Sequence, residues 1–150
     1  MKQTVQSNQW IYPRWCAPRH VRGVFTTRMY GHSTGMYASF NLADHVGDDD
    51  QAVLQNRRLL EDTIEARPVW LIQKHSTRVA RLDAQTKGPV EADAAVTWTP
   101  GIACAVMVAD CLPVLLCDRA GRVVAAAHAG WRGLADGILG AVIGAMGVPP

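Results

Sequence analysis

The sequence has no long apolar run, no run of Lys or Arg longer than a pair, and no apolar leader at its amino end, MKQTVQSN. Its apolar stretches are interrupted by Asp or Gly well before the ~20 residues that cross a bilayer. A secretory signal is therefore not expected. With 15 basic and 13 acidic side chains the net charge is only +2, so the electrostatic case for nucleic-acid binding is poor. These absences predict a cytoplasmic protein that acts on small molecules and binds neither membranes nor nucleic acid.

Cysteine is scarce, and the spacing of the cysteines disfavours a structural metal site. No two of the four cysteines form a C-x-x-C pair, which disfavours a four-cysteine zinc site. Without a secretory signal they are predicted to be reduced thiols. A chain of 150 residues buries roughly 70% of its unfolded-chain surface, so it does not need disulfide bonds to be stable. We therefore predict a single domain over 1–150. The cysteines are Cys16, Cys104, Cys111 and Cys117.

Helical and β-prone patterns both occur along the chain. Acidic residues that suit a helix amino end precede Val53, Leu60 and Ile64, which lie near helical spacing. This pattern predicts a helix over 49–65, with Pro68 ending it. The strands predicted from β-prone runs span 21–27, 69–76, 78–83 and 92–98.

The segment 102–130 predicts a β-hairpin, because two apolar β-prone runs flank the polar stretch DRAGR. If Asp118 and Arg122 face each other across the turn, Cys111 lies opposite Ala129. Two residues that are distant in sequence thus become neighbours, and the register decides which side chains share a face of the sheet.

The predicted register sets Cys111 beside His128 but on the opposite face of the sheet. The two side chains then meet only if the ladder is broken between them. Pro113 is the expected break, since proline has no ladder donor and favours bulges or strand ends.

Apolar residues at four-residue intervals after Trp131 predict a buried helix. Glycines recur in the same segment, and each costs about 0.5 to 1 kcal/mol relative to Ala in a helix interior. We expect close backbone packing along a glycine stripe to compensate. Gly147, Pro149 and Pro150 are expected to end the helix. The apolar residues are Leu134, Ile138, Val142 and Met146, and the glycines are Gly133, Gly137, Gly140 and Gly144.

The most specific chemistry that the residues indicate is a metal site. Thiolate and neutral imidazole are good ligands for zinc and for copper. Cys111, His128 and one more histidine would leave a fourth position open, as catalytic zinc sites do. His75 is the preferred third ligand, because it lies at the end of the β-prone residues 69–74 and is followed by polar loop residues. Each of these residues alone is more often a satisfied histidine or an inert buried thiol.

Two other chemistries use the same residue types. A cysteine and a histidine without metal form a nucleophilic dyad for acyl transfer, as in a cysteine hydrolase. Two histidines and a cysteine also form blue-copper sites. Copper redox chemistry is disfavoured, because Cys111 and His128 are 17 positions apart rather than in one short loop. A multicopper oxidase would also need more than the five histidines present.

Four further residues are candidates for acid–base or anion-binding roles. Asp110 and Asp93 lie within apolar runs, where desolvation raises a carboxyl pKa and makes the group a usable acid or base. The alternative is a carboxylate at a strand end that accepts hydrogen bonds from backbone amides. Arg28, in a Gly-bearing loop, and Arg132, close to His128, are candidates for anion contacts.

A series of segments together resembles the laccase-domain family, whose members have been called polyphenol oxidases, purine nucleoside phosphorylases and peptidoglycan editing factors. The resemblance extends from about Phe25 to Trp131, and the last two segments are highly specific in combination. The segments are FTTR (25–28), NLADHVGDD (41–49) with NRRLL (56–60), IQKHS (72–76), EADAAVT (91–97), VADCLPVLL (108–116) and AAAHAGWRG (125–133).

The resemblance implies an α/β (α+β) fold with mixed β-sheets flanked by helices. It also implies that His75, Cys111 and His128 bind zinc, with copper as the alternative metal. The activity that it implies is phosphorolysis of adenosine, inosine and methylthioadenosine, with adenosine deamination beside it, so the partners are a purine nucleoside and phosphate. Within this expectation the catalytic residues are Cys111, Asp110 and Arg28, and the substrate contacts are Arg28, Asp93 and Arg132.

Two features of the chain depart from the family pattern. The family usually has a Gly-Gly-Val-Ser type loop after FTTR, where this chain has Met29, Tyr30, Gly31 and His32. Family members also continue beyond the point where this chain stops, so the resemblance implies that their C-terminal part is lacking. A non-catalytic zinc-binding remnant, serving as an interaction module, is therefore the main alternative to an active enzyme.

Overall fold

The computed structural model describes residues 10–147; the amino-terminal stretch MKQTVQSN and the predicted helix stop at Pro149 and Pro150 lie outside the described residues. Among the described residues no helix is long and apolar enough to span a membrane. The prediction of one domain over 1–150 stays a prediction. The described chain divides into two compact units, one of residues 10–15 and 23–65 and the other of residues 16–22 and 66–147.

The first unit contains helix α1, Asp50–Ile64, which confirms the helix predicted over 49–65. Asp49 caps the helix, because its side chain accepts a hydrogen bond from the backbone N–H of Ala52 at 2.8 Å. The helix ends at Glu65, which adopts a left-handed φ of 54°, three residues before the predicted stop at Pro68. The buried face of α1 consists of Ala52, Val53, Asn56 and Leu60.

The remainder of the first unit is mostly irregular. The strand predicted over 21–27 is wrong: only Phe25 pairs, in an isolated bridge with Ile11. The physical reason is that residues 21 and 22 pack in the second unit, so a ladder cannot run the length of the segment. A short 3-10 helix spans Gly35–Tyr37.

The second unit contains mixed parallel and antiparallel sheets, and the predicted α/β (α+β) fold with mixed sheets flanked by helices is confirmed. The strands are β1 Arg67–Val69, β2 Leu71–Ile72, β3 Val79–Leu82, β4 Val90–Glu91, β5 Ala94–Thr97, β6 Ile102–Cys104, β7 Leu112–Cys117 and β8 Val124–Ala129. A four-stranded sheet has the order β3-β5-β8-β7, in which only the β3–β5 pair is parallel. Two parallel pairs, β1–β6 and β2–β4, accompany it.

Strands β3 and β5 confirm the predictions over 78–83 and 92–98. The strand predicted over 69–76 is instead two short strands, β1 and β2, and the second ends at Ile72. The split arises because β1 and β2 pair with different partners, β6 and β4. Residues 73–76 are thereby left as a loop, and this loop carries His75.

The predicted hairpin is confirmed over a shorter range, with β7 antiparallel to β8. The first part of the predicted segment 102–130 is β6, which pairs with β1 instead. A hairpin strand extends only as far as its partner, and β8 ends at Ala129, where the chain turns into a helix. Residues 105–111 therefore reach β7 without regular structure.

The register of the hairpin differs by one residue from the prediction, because Pro113 lies opposite His128. Asp118 does not pair with Arg122 across the strands. Its carboxylate lies in the turn and accepts hydrogen bonds from the backbone N–H groups of Arg122 and Val123 and from the Arg122 guanidinium. The turn is therefore one residue longer than predicted, and the ladder closes where the Asp118 N–H donates to the Val123 carbonyl.

The chain after β8 forms two helices rather than the single predicted one, α2 (Trp131–Asp136) and α3 (Ile138–Met146). Gly137 separates them with a left-handed φ of 93°, and α3 ends as predicted at Gly147. Leu134, predicted to be buried, is exposed because it lies on the short first helix. The other predicted core residues are buried: Ile138, Val142 and Met146.

Small side chains allow the close packing of this core. The Ala-rich strand β5 alternates its side chains between two clusters, so both of its faces are buried, and β8 contributes alanines to the first of them. Helix α3 packs against one face, where Ala94 and Val96 contact its apolar side chains. Ala95 points to the other face and joins Val69 and Leu71 in the second cluster. The site described below lies just beyond the Ala94–Ala127 pair, at the start of β5 and the end of β8.

The predicted glycine stripe is wrong for α3. A Cβ at Gly140 or Gly144 would meet no atom within 4 Å, so neither glycine permits a close backbone approach. Only Gly133 makes a contact of this kind, since its Cβ would lie 3.5 Å from Ile138.

Replacing Gly140 or Gly144 by alanine is therefore expected to stabilise the protein. Each change removes backbone freedom from the unfolded chain and is expected to add about 0.5 to 1 kcal/mol to the free energy of unfolding. Urea denaturation measures the effect. Gly137→Ala is the matched control and is expected to destabilise, because Gly137 has a φ of 93°. Loss of stability in both helix variants would contradict this assignment.

Candidate metal centre

The β5–β8 ladder places Asp93 directly opposite His128. The last regular pair of these strands is Ala94 with Ala127, and the next residue on each strand continues the register. The His128 backbone N–H donates to the Asp93 carbonyl at 2.7 Å. Because residues opposite each other in a ladder point to the same face, the two side chains meet, and His128 Nδ1 lies 2.9 Å from Asp93 Oδ1.

The Asp93 carboxylate is fully buried and surrounded by donors. Burial raises its pKa, but hydrogen bonds from the His128 ring, from the Ser76 and Lys74 backbone N–H groups and from the Ser76 hydroxyl outweigh this and lower the pKa to about 2. An ionised carboxylate only accepts hydrogen bonds. His128 Nδ1 is therefore the donor of its bond, which leaves the Nε2 lone pair of the neutral ring available to a metal.

His75 reaches the same place from the loop that follows β2. Its backbone N–H donates to Asp93 Oδ1 at 2.8 Å, and its φ of 58° is left-handed, a conformation that few non-glycine residues adopt. The imidazole rings of His75 and His128 lie edge to face, with centroids 4.7 Å apart and an interplanar angle of 71°. The sequence prediction that placed His75 at the end of this β-prone run is in agreement with its position.

Cys111 immediately precedes β7, and its position follows from the corrected register. Pro113 lies opposite His128, and Cys111, two residues earlier, projects to the same face. The predicted position opposite Ala129 and the predicted ladder break at Pro113 are therefore wrong. Pro113 pairs within the strand, which is tolerated because β7 is at the edge of the sheet.

The three side chains converge as predicted. Cys111 Sγ lies 3.8 Å from His75 Nε2, and the ligand atoms of His75, Cys111 and His128 all lie within 4.8 Å of one another. Nitrogen and sulfur ligands lie about 2.0 to 2.3 Å from zinc, so neighbouring ligands on a tetrahedral ion are about 3.3 to 3.6 Å apart. The 3.8 Å between Cys111 Sγ and His75 Nε2 is close to this spacing, and pairs as far apart as 4.8 Å would have to close by about 1 Å on a single ion. Two imidazoles and a thiol are also a donor set that suits zinc or copper.

Burial and the neighbouring Asp110 carboxylate raise the pKa of the Cys111 thiol. Without a cation the side chain is therefore a neutral thiol at pH 7. This direction disfavours the metal-free cysteine–histidine dyad, which needs a lowered thiol pKa. A bound cation reverses the balance, because it stabilises the thiolate that ligates it.

Gly130 and Gln73 also build the site, and the sequence predictions missed both. A Cβ at Gly130 would lie 2.9 Å from Cys111 Sγ and 3.1 Å from His75 Cδ2, so only glycine leaves room for the two ligands. The Gln73 side chain exchanges two hydrogen bonds of 2.7 Å with the Met107 backbone and so ties the irregular segment before Cys111 to β2. A glycine directly after the predicted ligand segment AHA could have indicated that the backbone there needs space. No sequence pattern distinguishes Gln73.

The other predicted site residues have the following positions. Asp110 is exposed, so its predicted apolar surroundings are wrong: the run that contains it leaves the core before β7 begins. Arg132 is exposed on α2, with its guanidinium 5.2 Å from the centre of the Trp131 ring. Arg28 belongs to the first unit, where it donates to the backbone carbonyls of Ala38 and Met36. Their catalytic and substrate-binding roles stay predictions.

Asp93 was predicted to contact substrate. Its complete burial and the donors that occupy both oxygens favour a different role, taken up below. None of the four cysteines, all of which lie within the described residues, forms a disulfide, and their reduced state stays a prediction.

The fold and the site together define an α/β protein in which His75, Cys111 and His128 form a group that could hold a metal ion. Residues 22–149 match the family described as multi-copper polyphenol oxidoreductase laccase. The chain belongs to this family.

Named relatives agree with the assignment. The chain is 50% identical, over 142 residues, to a purine nucleoside phosphorylase of Pseudomonas aeruginosa, covering 95% of this chain and 58% of the relative. It is 47% identical to the Escherichia coli purine nucleoside phosphorylase YfiH, covering 86% and 54%. The crystal structure of Neisseria meningitidis protein NMB0706 superposes with a TM-score of 0.91 at 50% identity, covering 95% and 59%. The chain thus spans a little over half the length of these relatives.

Proposed function

We propose that this chain acts as a zinc-dependent purine nucleoside phosphorylase on adenosine, inosine and methylthioadenosine, and that it also deaminates adenosine. The observation that carries the proposal is the convergence of His75, Cys111 and His128, in a chain about 50% identical to proteins named purine nucleoside phosphorylase. The raised pKa of Cys111 supports a metal centre over a cysteine nucleophile.

In this proposal His75, Cys111 and His128 hold the ion through two ring nitrogens and one sulfur and leave a further position open to substrate. Zinc is preferred to copper because neither proposed reaction changes an oxidation state. When bound, zinc supplies Lewis acidity, which lowers the pKa of water and polarises the groups that it contacts.

Three other charged residues have distinct proposed roles. In phosphorolysis a phosphate oxygen bonds to the anomeric carbon of the sugar as the bond from that carbon to the purine nitrogen breaks. Arg28 is proposed to hold the phosphate and Arg132 to contact the substrate, because a guanidinium binds oxyanions in a bidentate manner. In deamination a water oxygen bonds to C6 of the purine as the bond from C6 to the amino nitrogen breaks. Asp110, exposed beside Cys111, is proposed to deliver a proton to the departing base in phosphorolysis or to the departing amino group in deamination. The four free thiols fit a reducing cytoplasm, which is the proposed location.

Incubation of the purified chain with adenosine and phosphate tests the activity, with the purines separated by chromatography. We expect adenine and ribose 1-phosphate from the wild-type chain, with inosine or hypoxanthine as a sign of deamination. Cys111→Ala is expected to abolish product, whereas the exposed Cys16→Ala is expected to leave it unchanged.

Three outcomes separate the alternatives. Adenine formation by Cys111→Ala at the wild-type rate would refute catalysis at this centre. Zinc binding with adenosine left intact would identify a non-catalytic zinc-binding module. Copper-dependent oxidation of a phenol, without phosphorolysis, would favour the polyphenol oxidase alternative.

A further inference from the structure

The Asp93 side chain connects the two histidines of the centre. Asp93 directly precedes β5, a strand whose residues are all buried, and its carboxylate has no accessible surface. It can therefore reach neither solvent nor a substrate. Its contacts lead instead to the backbone of one histidine and to the ring of the other.

The first contact fixes the ring of His128. The Nδ1–H donates to Asp93 Oδ1 at 2.9 Å, while the backbones of the same two residues are also hydrogen-bonded, at 2.7 Å. One hydrogen bond thus fixes the backbone of His128 and the other fixes the orientation of its ring. The bond selects the tautomer whose Nε2 carries the lone pair, and it sets the direction in which that lone pair points.

The second set of contacts fixes the loop that carries His75. Three consecutive backbone N–H groups, of Lys74, His75 and Ser76, donate to the Asp93 carboxylate at 2.8 to 3.0 Å, and Ser76 Oγ donates at 2.7 Å. Such a row of amides bends round an anion only if the backbone departs from an extended conformation. The left-handed φ of His75 lies within this bend.

We propose that Asp93 is the positioning residue of the metal centre, a single buried carboxylate that fixes the ring of one histidine ligand and the backbone of the other. This inference rests on the proposed metal site but not on the proposed reaction. The Asp93 carboxylate accepts hydrogen bonds that water would otherwise accept from the His128 ring and from the loop that carries His75. Both histidines are therefore held in position before a metal binds. Removal of the carboxylate loosens two of the three ligands at once.

Cobalt(II) binding tests the inference without any enzymatic assay, because the visible bands of cobalt report both ligand geometry and affinity. Asp93→Asn keeps the shape of the side chain but turns one acceptor into a donor that faces other donors. We expect it to weaken cobalt binding about 10- to 100-fold, as loss of a partner behind a metal ligand does, and to alter the visible spectrum. Ser76→Ala removes one donor and is expected to weaken binding by a smaller factor.

Thr97→Val is the matched control on the same strand. Thr97 is buried, and its hydroxyl donates to the Leu82 carbonyl at 2.8 Å, so the change removes a buried hydrogen bond of β5 away from the centre. We expect lower stability with unchanged cobalt affinity and spectrum. If Asp93→Asn does not fold, the comparison of Ser76→Ala with Thr97→Val decides the question.

Long-range proton–nitrogen NMR of the metal-free protein supplies a second readout. We expect the wild-type His128 ring to keep its Nδ1 proton in the hydrogen bond to Asp93, and expect this Nδ1–H signal to be lost or exchange-broadened in Asp93→Asn. Folded Asp93→Asn and Ser76→Ala variants with wild-type cobalt affinity and spectrum would overturn the positioning role and leave the proposed function standing. A wild-type chain that binds no cobalt would overturn the metal site itself.

Discussion

Replacing Cys111 by serine is expected to lower zinc affinity at least about 100-fold, since loss of a partner behind a ligand already costs 10- to 100-fold. The hydroxyl of serine is nearly the size of the thiol, but it does not ionise at pH 7 and is a poor zinc ligand. Because Cys111 is only partly buried and precedes β7, the fold is expected to tolerate the change. Competition with a chromophoric chelator measures the affinity.

Cys16→Ser is the matched control for the loss of a thiol. Cys16 is exposed and belongs to no group of metal-ligating side chains in the described residues, so its replacement is expected to leave zinc affinity unchanged. Equal affinities of wild type and Cys111→Ser would exclude Cys111 as a ligand.

Replacing Gly130 by alanine is expected to have the second largest effect. The added methyl would meet Cys111 Sγ at 2.9 Å and His75 Cδ2 at 3.1 Å, which forces the two ligands apart. The backbone itself accepts alanine, because Gly130 has φ −64° and ψ 164°. We expect zinc affinity to fall at least about 10-fold, the lower bound for a disturbed ligand environment. Loss of the glycine cap of α2 is expected to cost about 1 kcal/mol or less.

Gly133→Ala, one turn further on, is the control for this effect. Its methyl would make ordinary contacts, 3.5 Å from Ile138 and 3.6 Å from the His128 carbonyl, so zinc affinity is expected to persist. Titration of both variants beside the wild type, with circular dichroism as a check of folding, makes the comparison. A Gly130→Ala variant with wild-type affinity would show that the ligands do not need the space that the glycine leaves.

The elements that could be predicted from sequence are those set by local interactions. Helix α1 follows from an acidic amino end, the Asp49 cap and apolar spacing. Strands β3 and β5 follow from short apolar runs. The break at Trp70 could not be predicted, because it depends on β1 and β2 pairing with separate strands. Gly137 divides the predicted last helix in two because it adopts a left-handed conformation. The apolar spacing continues across Gly137 and so did not indicate this division.

The one-residue error in the hairpin register shows how a side chain can override a strand pattern. Asp118 has a charge opposite to that of Arg122, which favours a cross-strand pair in sequence. In the structure the same two residues interact within the turn, because the carboxylate also accepts backbone N–H groups there. The shift moves Cys111 to the face of His128, so the centre forms without a break in the ladder.

The convergence of the three candidate ligands could be predicted, but most of the contacts that hold them in place could not. Imidazole and thiol are recognisable in sequence, and the resemblance to the laccase-domain family selects His75, Cys111 and His128. Asp93 was recognised as unusual in an apolar run, yet its partner is known only from the β5–β8 register. The alternative given for Asp93, a strand-end carboxylate that accepts backbone N–H groups, is confirmed, but the sequence did not indicate that these groups belong to the loop after Ile72.

X-ray absorption at the zinc edge tests the central claim most directly. The wild-type chain, loaded with one equivalent of zinc and dialysed, is expected to retain it. We predict one sulfur at about 2.3 Å and two imidazole nitrogens at about 2.0 to 2.1 Å in the first shell, with the sulfur absent from Cys111→Ser. A first shell without sulfur in the wild-type protein, or a chain that retains no zinc, would contradict a metal centre built from His75, Cys111 and His128.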